Sequence, residues 1–85
     1  MTEHEIFVRF AALVERSSEV TASEVTNEAD LANDLGLDSM SMVEIIVSAQ
    51  ETFKIEIPDE ALKDLKTVQD VVTYVQRAQR SGVSA

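Results

Sequence analysis

A chain of 85 residues builds one hydrophobic core and leaves little room for a deep catalytic cleft. Seven basic against 16 acidic side chains give a net charge of −9, which repels nucleic acid phosphates and anionic membranes and attracts basic protein patches. With 45% hydrophobic residues the chain has the composition to fold. With no cysteine it holds neither a disulfide nor a thiolate metal site, so any thiol chemistry needs a borrowed sulfur.

The opening residues, Met-Thr-Glu-His-Glu, lack a basic and apolar signal pattern, and no apolar run reaches membrane-spanning length. The expectation is a soluble cytoplasmic monomer that does not insert into membranes. A first helix is predicted over residues 3–15, where Ile6, Phe10, Leu13 and Val14 form one apolar stripe. Periodicity fades over 16–38, a long connection rich in Ser, Thr and Asn. Its apolar residues Val20, Val25, Leu31, Leu35 and Leu37 are expected to anchor it on the core, with a short helical turn near 23–27.

A second helix is predicted over 39–53, with Ser39 as its N-cap. The extended stretch Ile55-Glu56-Ile57 before Pro58 feeds a short helix over 59–64. Thr67, with Asp70 three residues on, marks a capping-box start for the last helix, whose apolar face is Val68, Val71, Val72 and Val75. From residue 80 onward a frayed tail is expected. These elements predict one all-α domain over 1–85. It is a small antiparallel four-helix bundle of three main helices and one short one, with a long first loop.

At about 100° per residue, Met42, Val43, Ile46, Gln50 and Phe53 share the expected core side of the second helix, with Ile45 and Ala49 on one flank. Met40, Glu44, Val47 and Glu51 line the other flank. Six of the eight residues from Met40 to Val47 are apolar, more than one buried stripe requires. Met40 and Val47 therefore fit two descriptions equally: the margin of the core, or a contact surface for a partner. Acidic residues beside exposed apolar ones suit docking, since charge orients the encounter and apolar contact holds it.

The acidic excess concentrates around Ser39. From Glu28 to Glu60 the chain carries Glu28, Asp30, Asp34, Asp38, Glu44, Glu51, Glu56, Asp59 and Glu60, opposed only by Lys54. Self-sufficient chemistry at Ser39 fails on inventory, because the only histidine, His4, lies at the far end of the chain. Gly36 and Gly82 are the only glycines, which excludes a phosphate-binding glycine loop. A calcium loop over 30–41 fails too: Ala32 and Ser41 stand at ligand positions and the glycine is one place late. Ser39 is compatible with a plain helix cap and equally with a phosphodiester, which the positive end of a helix favours.

The run Asp34-Leu35-Gly36-Leu37-Asp38-Ser39-Met40 resembles the acyl carrier protein motif Asp-Leu-Gly-x-Asp-Ser-Leu, with Met40 in place of the usual leucine. The resemblance continues through Val43 to Ile46, Phe53, Ile57-Pro58-Asp59-Glu60, Lys66-Thr67-Val68, Val71-Val72 and Tyr74-Val75. Ser39-Met40-Ser41-Met42-Val43-Glu44 and Lys66-Thr67-Val68 look most like bacterial fatty-acid carriers, actinobacterial ones in particular. The Gly-Gly-His/Asp-Ser pattern of peptidyl carriers does not fit.

The resemblance implies a carrier, not an enzyme, with 4'-phosphopantetheine on Ser39, transferred from coenzyme A by a Mg²⁺-dependent phosphopantetheinyl transferase. It implies docking through Asp38, Met40, Glu44, Val47 and Glu51 onto basic patches of ketosynthase, acyltransferase, reductase and dehydratase partners. Ile45, Ala49, Phe53, Ile57, Leu62, Leu65 and Val71 correspond to residues around an acyl-chain cavity. Ser41 and Gln50 stand where many relatives are acidic, so the docking face carries less charge than usual. Two other functions stay open on these residues: a carrier for a polyketide or other secondary-metabolite pathway, and an unmodified acidic adaptor.

Overall fold

The computed structural model describes residues 2–80. It holds α1 (Glu3–Ser17), a 3-10 turn (Ala22–Glu24), α2 (Ser39–Phe53), α3 (Asp59–Leu62) and α4 (Val68–Arg80), an all-helical bundle. The only extended pairing among the described residues is a single bridge between Asp30 and Thr67. α2 has the bounds its sequence predicts. α1 runs two residues past the expected end, where the Ser18 hydroxyl donates to the Val14 carbonyl at 2.7 Å. α3 stops at Leu62, short of residue 64, and the turn expected near 23–27 forms over Ala22–Glu24, starting one residue earlier and ending three earlier. Arg80 ends α4, and the rest of the expected tail, 81–85, lies outside the described residues.

Side chains spend themselves on the helix starts. Thr2 and Glu5 cap α1 reciprocally: the Glu5 N–H donates to Thr2 Oγ1 at 3.1 Å, and the Thr2 N–H to Glu5 Oε1 at 3.3 Å. At α4 the Asp70 N–H donates to Thr67 Oγ1 at 3.2 Å and the Thr67 N–H to Asp70 Oδ2 at 3.0 Å, the capping box the sequence predicts. The Thr67 N–H, joined by the Lys66 N–H at 3.0 Å, holds the Asp70 carboxyl below its ordinary pKa, the Thr67 N–H contributing most, against an opposing desolvation.

The first loop is tied to the start of α4 by backbone. Val68 N–H donates to the Ala29 carbonyl at 3.1 Å and Gln69 N–H to the Asn27 carbonyl at 2.9 Å, so helix-start donors with no intrahelical acceptor find one in the loop. Leu31 N–H returns to the Lys66 carbonyl at 2.9 Å, and Asn27 Nδ2 donates to Gln69 Oε1 at 2.8 Å. Val25, Leu31, Leu35 and Leu37 are buried as expected, while Val20 is only half-buried. α1 packs against both α2 and α4. Phe10, Ile6, Val14, Ile45, Val68, Val71, Val72 and Val75 are the largest fully buried side chains of one continuous core.

Candidate functional site

The acidic residues ahead of Ser39 shape the chain rather than gather around an ion. Asp30 Oδ1 accepts the Ala32 and Asn33 N–H groups at 2.9 and 2.8 Å. Asp34 Oδ2 accepts the Asp30 N–H at 2.7 Å, and the Asp34 N–H returns to the Asp30 carbonyl at 2.9 Å. Gly36 then takes φ of 67°, a left-handed turn that side chains resist, between buried Leu35 and Leu37. Leu37 N–H closes the loop on the Leu31 carbonyl at 3.0 Å. Among the described residues no group of three or more His, Cys, Asp or Glu side chains is placed to hold a metal ion.

The N-cap of α2 is Asp38, not Ser39. Asp38 Oδ1 accepts the Ser41 N–H at 2.8 Å and its carbonyl accepts the Met42 N–H at 2.9 Å. Both residues are good caps, one position apart, and the carboxylate takes the role because a charged acceptor binds the helix-end N–H more strongly than a hydroxyl does. The Ser41 N–H is the main reason the Asp38 carboxyl sits below its ordinary pKa, its side-chain bond to Ser41 adding to the effect against a smaller opposing desolvation. Ser39 becomes the first residue of the helix, exposed, its hydroxyl free of any hydrogen bond within the described chain. An oxygen so placed is open to another enzyme and stands at the positive end of the α2 dipole, which suits a bound phosphate. His4, the one imidazole, is exposed in the first turn of α1.

α2 divides its circumference differently from the expectation. Ile45, Ile46, Ala49 and Phe53 are buried, while Met42 and Gln50 are half-buried. Val43, expected on the core side, is 55% exposed and joins Met40 (74%) and Val47 (48%) in one apolar stripe. Apolar residues occupy more of this helix than the core covers, so periodicity alone does not say which are left out. Glu44 and Glu51 are exposed along the edge of the stripe. Met40 and Val47 are thus surface, not core margin.

Of the residues matched to a cargo cavity, Ile45, Ala49, Phe53, Ile57, Leu65 and Val71 are buried in the common core and Leu62 is half-buried against it. Only Leu62 and Leu65 also line a surface cleft of about 340 Å³, with Leu31, Met42, Asp30 and Lys66 around them. Met42 and Leu31 are additions to the expected set, legible only as apolar anchors. A more polar cleft of about 520 Å³ adjoins the start of α2, bounded by Glu19, Glu24, Gly36, Asp38 and Ser41.

Gln50, placed by its sequence on the core side and noted for lacking charge, has a defined job. Its Oε1 accepts the Ile57 N–H at 2.8 Å, and its carbonyl accepts the Ile55 N–H at 3.2 Å. From α4, the Tyr74 hydroxyl donates to the Glu56 carbonyl at 3.1 Å and Gln79 Nε2 to the Phe53 carbonyl at 3.3 Å. The segment from Phe53 to Ile57 is therefore pinned on both sides over buried Ile55 and Ile57.

A family model described as the phosphopantetheine attachment site matches residues 8–75, which include the loop, Ser39 and all of α2. The acyl carrier protein of Thermobifida fusca is 51% identical over 76 residues, covering 89% of this chain and 96% of its own length. The meromycolate extension acyl carrier protein of Mycobacterium leprae is 40% identical over 85 residues, covering all of this chain and 74% of its own. Among solved structures, an acyl carrier protein from Enterococcus faecalis superposes with a TM-score of 0.76 at 28% identity, over 92% of this chain and 99% of that one.

Proposed function

The chain belongs to the phosphopantetheine-bearing family of acyl carrier proteins, and on that premise we propose that Ser39 is its attachment residue and fatty acid biosynthesis its pathway. The observation that carries this reading is the exposed Ser39 hydroxyl, unbonded because Asp38 has taken over the capping. When bound, phosphopantetheine supplies the thiol that this cysteine-free chain lacks, and acyl groups travel on it as thioesters. The residues fit that group: a free hydroxyl for the phosphodiester, the positive end of α2 beside it, a cleft bounded by Asp38 and Ser41, and a second one lined by Met42.

The chain's own part is to hold Ser39 outward and to present α2. Asp38, Met40, Glu44, Val47 and Glu51, with Val43 added, dock onto the transferase and onto ketosynthase, acyltransferase, reductase and dehydratase partners. The carboxylates meet basic patches, and the three apolar side chains meet the apolar surface between them. Weak, charge-steered contact of this kind favours rapid exchange over tight complexes. Ile45, Ala49, Phe53, Ile57, Leu62, Leu65 and Val71 shelter the acyl chain, with Leu62 and Leu65 nearest the surface cleft. The protein acts as a carrier and not a catalyst, as a monomer in the cytoplasm. No helix among the described residues is long and apolar enough to cross a membrane.

Intact mass tests the reading. The chain incubated with coenzyme A, Mg²⁺ and a broad-specificity phosphopantetheinyl transferase gains one adduct, and Ser39→Ala gains none. No adduct on the parent returns the chain to the acidic-adaptor description, and an adduct on Ser39→Ala moves the attachment away from Ser39. Comparing turnover of the loaded chain by fatty-acid and polyketide ketosynthases then decides the pathway.

A further inference from the structure

The contact face proposed for α2 carries one oxidisable atom, on the most exposed of its apolar side chains. Met40 directly follows Ser39, and its 74% exposure exceeds that of Val43, Val47 and Val8, the other large apolar residues at the surface. Met42, two residues on and turned toward the other side of the helix, is half-buried and packs against the core. Oxidation of a thioether requires that peroxide reach the sulfur, so access alone ranks Met40 ahead of Met42.

We propose that Met40 is a reversible oxidation site at which hydroperoxides switch off docking, and hence loading of Ser39; the inference rests on the carrier reading above. The Met40 sulfur attacks hydrogen peroxide, the S–O bond forms as the O–O bond breaks, and sulfur gives up two electrons. The transferred oxygen sheds its proton to the departing hydroxide, which leaves as water. The product is a methionine sulfoxide, reduced back by the two epimer-specific sulfoxide reductases at the expense of thiols.

The consequence follows from position. A sulfoxide oxygen in the stripe formed by Met40, Val43 and Val47 must lose its water when a partner covers the stripe, and an apolar partner surface offers nothing in return. The fold is indifferent to the change, because the exposed Met40 side chain lies outside the buried core. Docking and stability therefore respond separately.

The test uses the full chain with Ser39 unmodified. Peroxide treatment is quenched, fragment mass spectra assign the added oxygen among Met1, Met40 and Met42, and the rate of transferase loading is compared before and after. Met40 oxidises before Met42, the second-order loading rate falls roughly tenfold, and the melting temperature holds. Both reductases together restore the rate. Met40→Leu loads at its untreated rate after the same peroxide exposure, and Met42→Leu stays as sensitive as the parent. Faster oxidation at Met42, an unchanged rate in the Met40 sulfoxide, or peroxide sensitivity persisting in Met40→Leu overturns the proposal. A normal untreated rate beside any of these results removes the switch alone. An untreated chain that gains no adduct removes the carrier reading and the switch with it.

Discussion

Replacing Gln50 with alanine removes the one side-chain acceptor for the Ile57 N–H, a 2.8 Å bond in a half-buried setting. A buried donor left without a partner costs about 1–3 kcal/mol. The segment lies near the surface, where water can enter in place of the amide, which puts the loss at about 1–2 kcal/mol. For a domain of this size the melting temperature then falls by roughly 4–16 °C. Tyr74 and Gln79 still hold the Glu56 and Phe53 carbonyls, so the loss is local loosening, not release of the segment. Calorimetry reads the stability, and amide exchange at Ile57 reads the bond itself. Gln50→Glu retains an acceptor and keeps most of the stability, whereas Gln50→Lys offers none and behaves as alanine does. A Gln50→Ala variant that melts with the parent and shows unchanged exchange at Ile57 refutes the pin. So does a glutamate variant as damaged as the alanine one.

Gly36→Ala meets no atom within 4 Å of the new Cβ, so its cost is backbone strain alone. A side chain held in the left-handed region loses about 1–2 kcal/mol, visible as a lower denaturant midpoint, with Gly36→Asn milder. A parental midpoint for Gly36→Ala counts against the left-handed turn. Acidification acts through Asp38 and Asp70, whose folded pKa values lie below the ordinary 3.8. Their stabilisation is complete above that value and disappears as pH falls through the lower folded ones. Melts of Asp70→Asn should therefore change less than those of the parent on acidification through that range, and an equal or larger change contradicts the assignment. Val43→Ala should leave stability within about 0.5 kcal/mol, as a surface change does, and slow transferase loading. Val71→Ala, at a fully buried position, should cost about 2 kcal/mol, so equal losses at the two sites would place Val43 in the core.

The parts of the molecule legible in its sequence are those where one side chain chooses one outcome. Thr67 and Asp70 meet at the spacing a capping box requires, and no neighbour competes for the role. Asp38 and Ser39 are different: two cap formers stand side by side, and only geometry shows the carboxylate taking the bond to Ser41. The backbone ties from the Asn27 and Ala29 carbonyls to α4 leave no mark in residue type, unlike the Asn27 amide that meets Gln69 beside them. Gln50 is read in sequence as a missing charge, because its target is the Ile57 N–H of a separate segment.

α2 shows why its exposed apolar stripe is harder to read than its buried one. A helix with a single apolar stripe declares its buried side, but α2 has apolar residues for two surfaces. Periodicity counts both as one wide band. The second surface becomes distinguishable only when the common core, with α1 packed along α2, has claimed Ile45, Ile46, Ala49 and Phe53. What remains, Met40, Val43 and Val47, is apolar area the fold does not use, aligned with Ser39 and edged by Glu44 and Glu51. Leaving that area in water forfeits burial energy that a core position would have gained. The same three side chains can recover it only against another surface, and on the proposed reading that surface is a partner's, met by the helix that begins at Ser39.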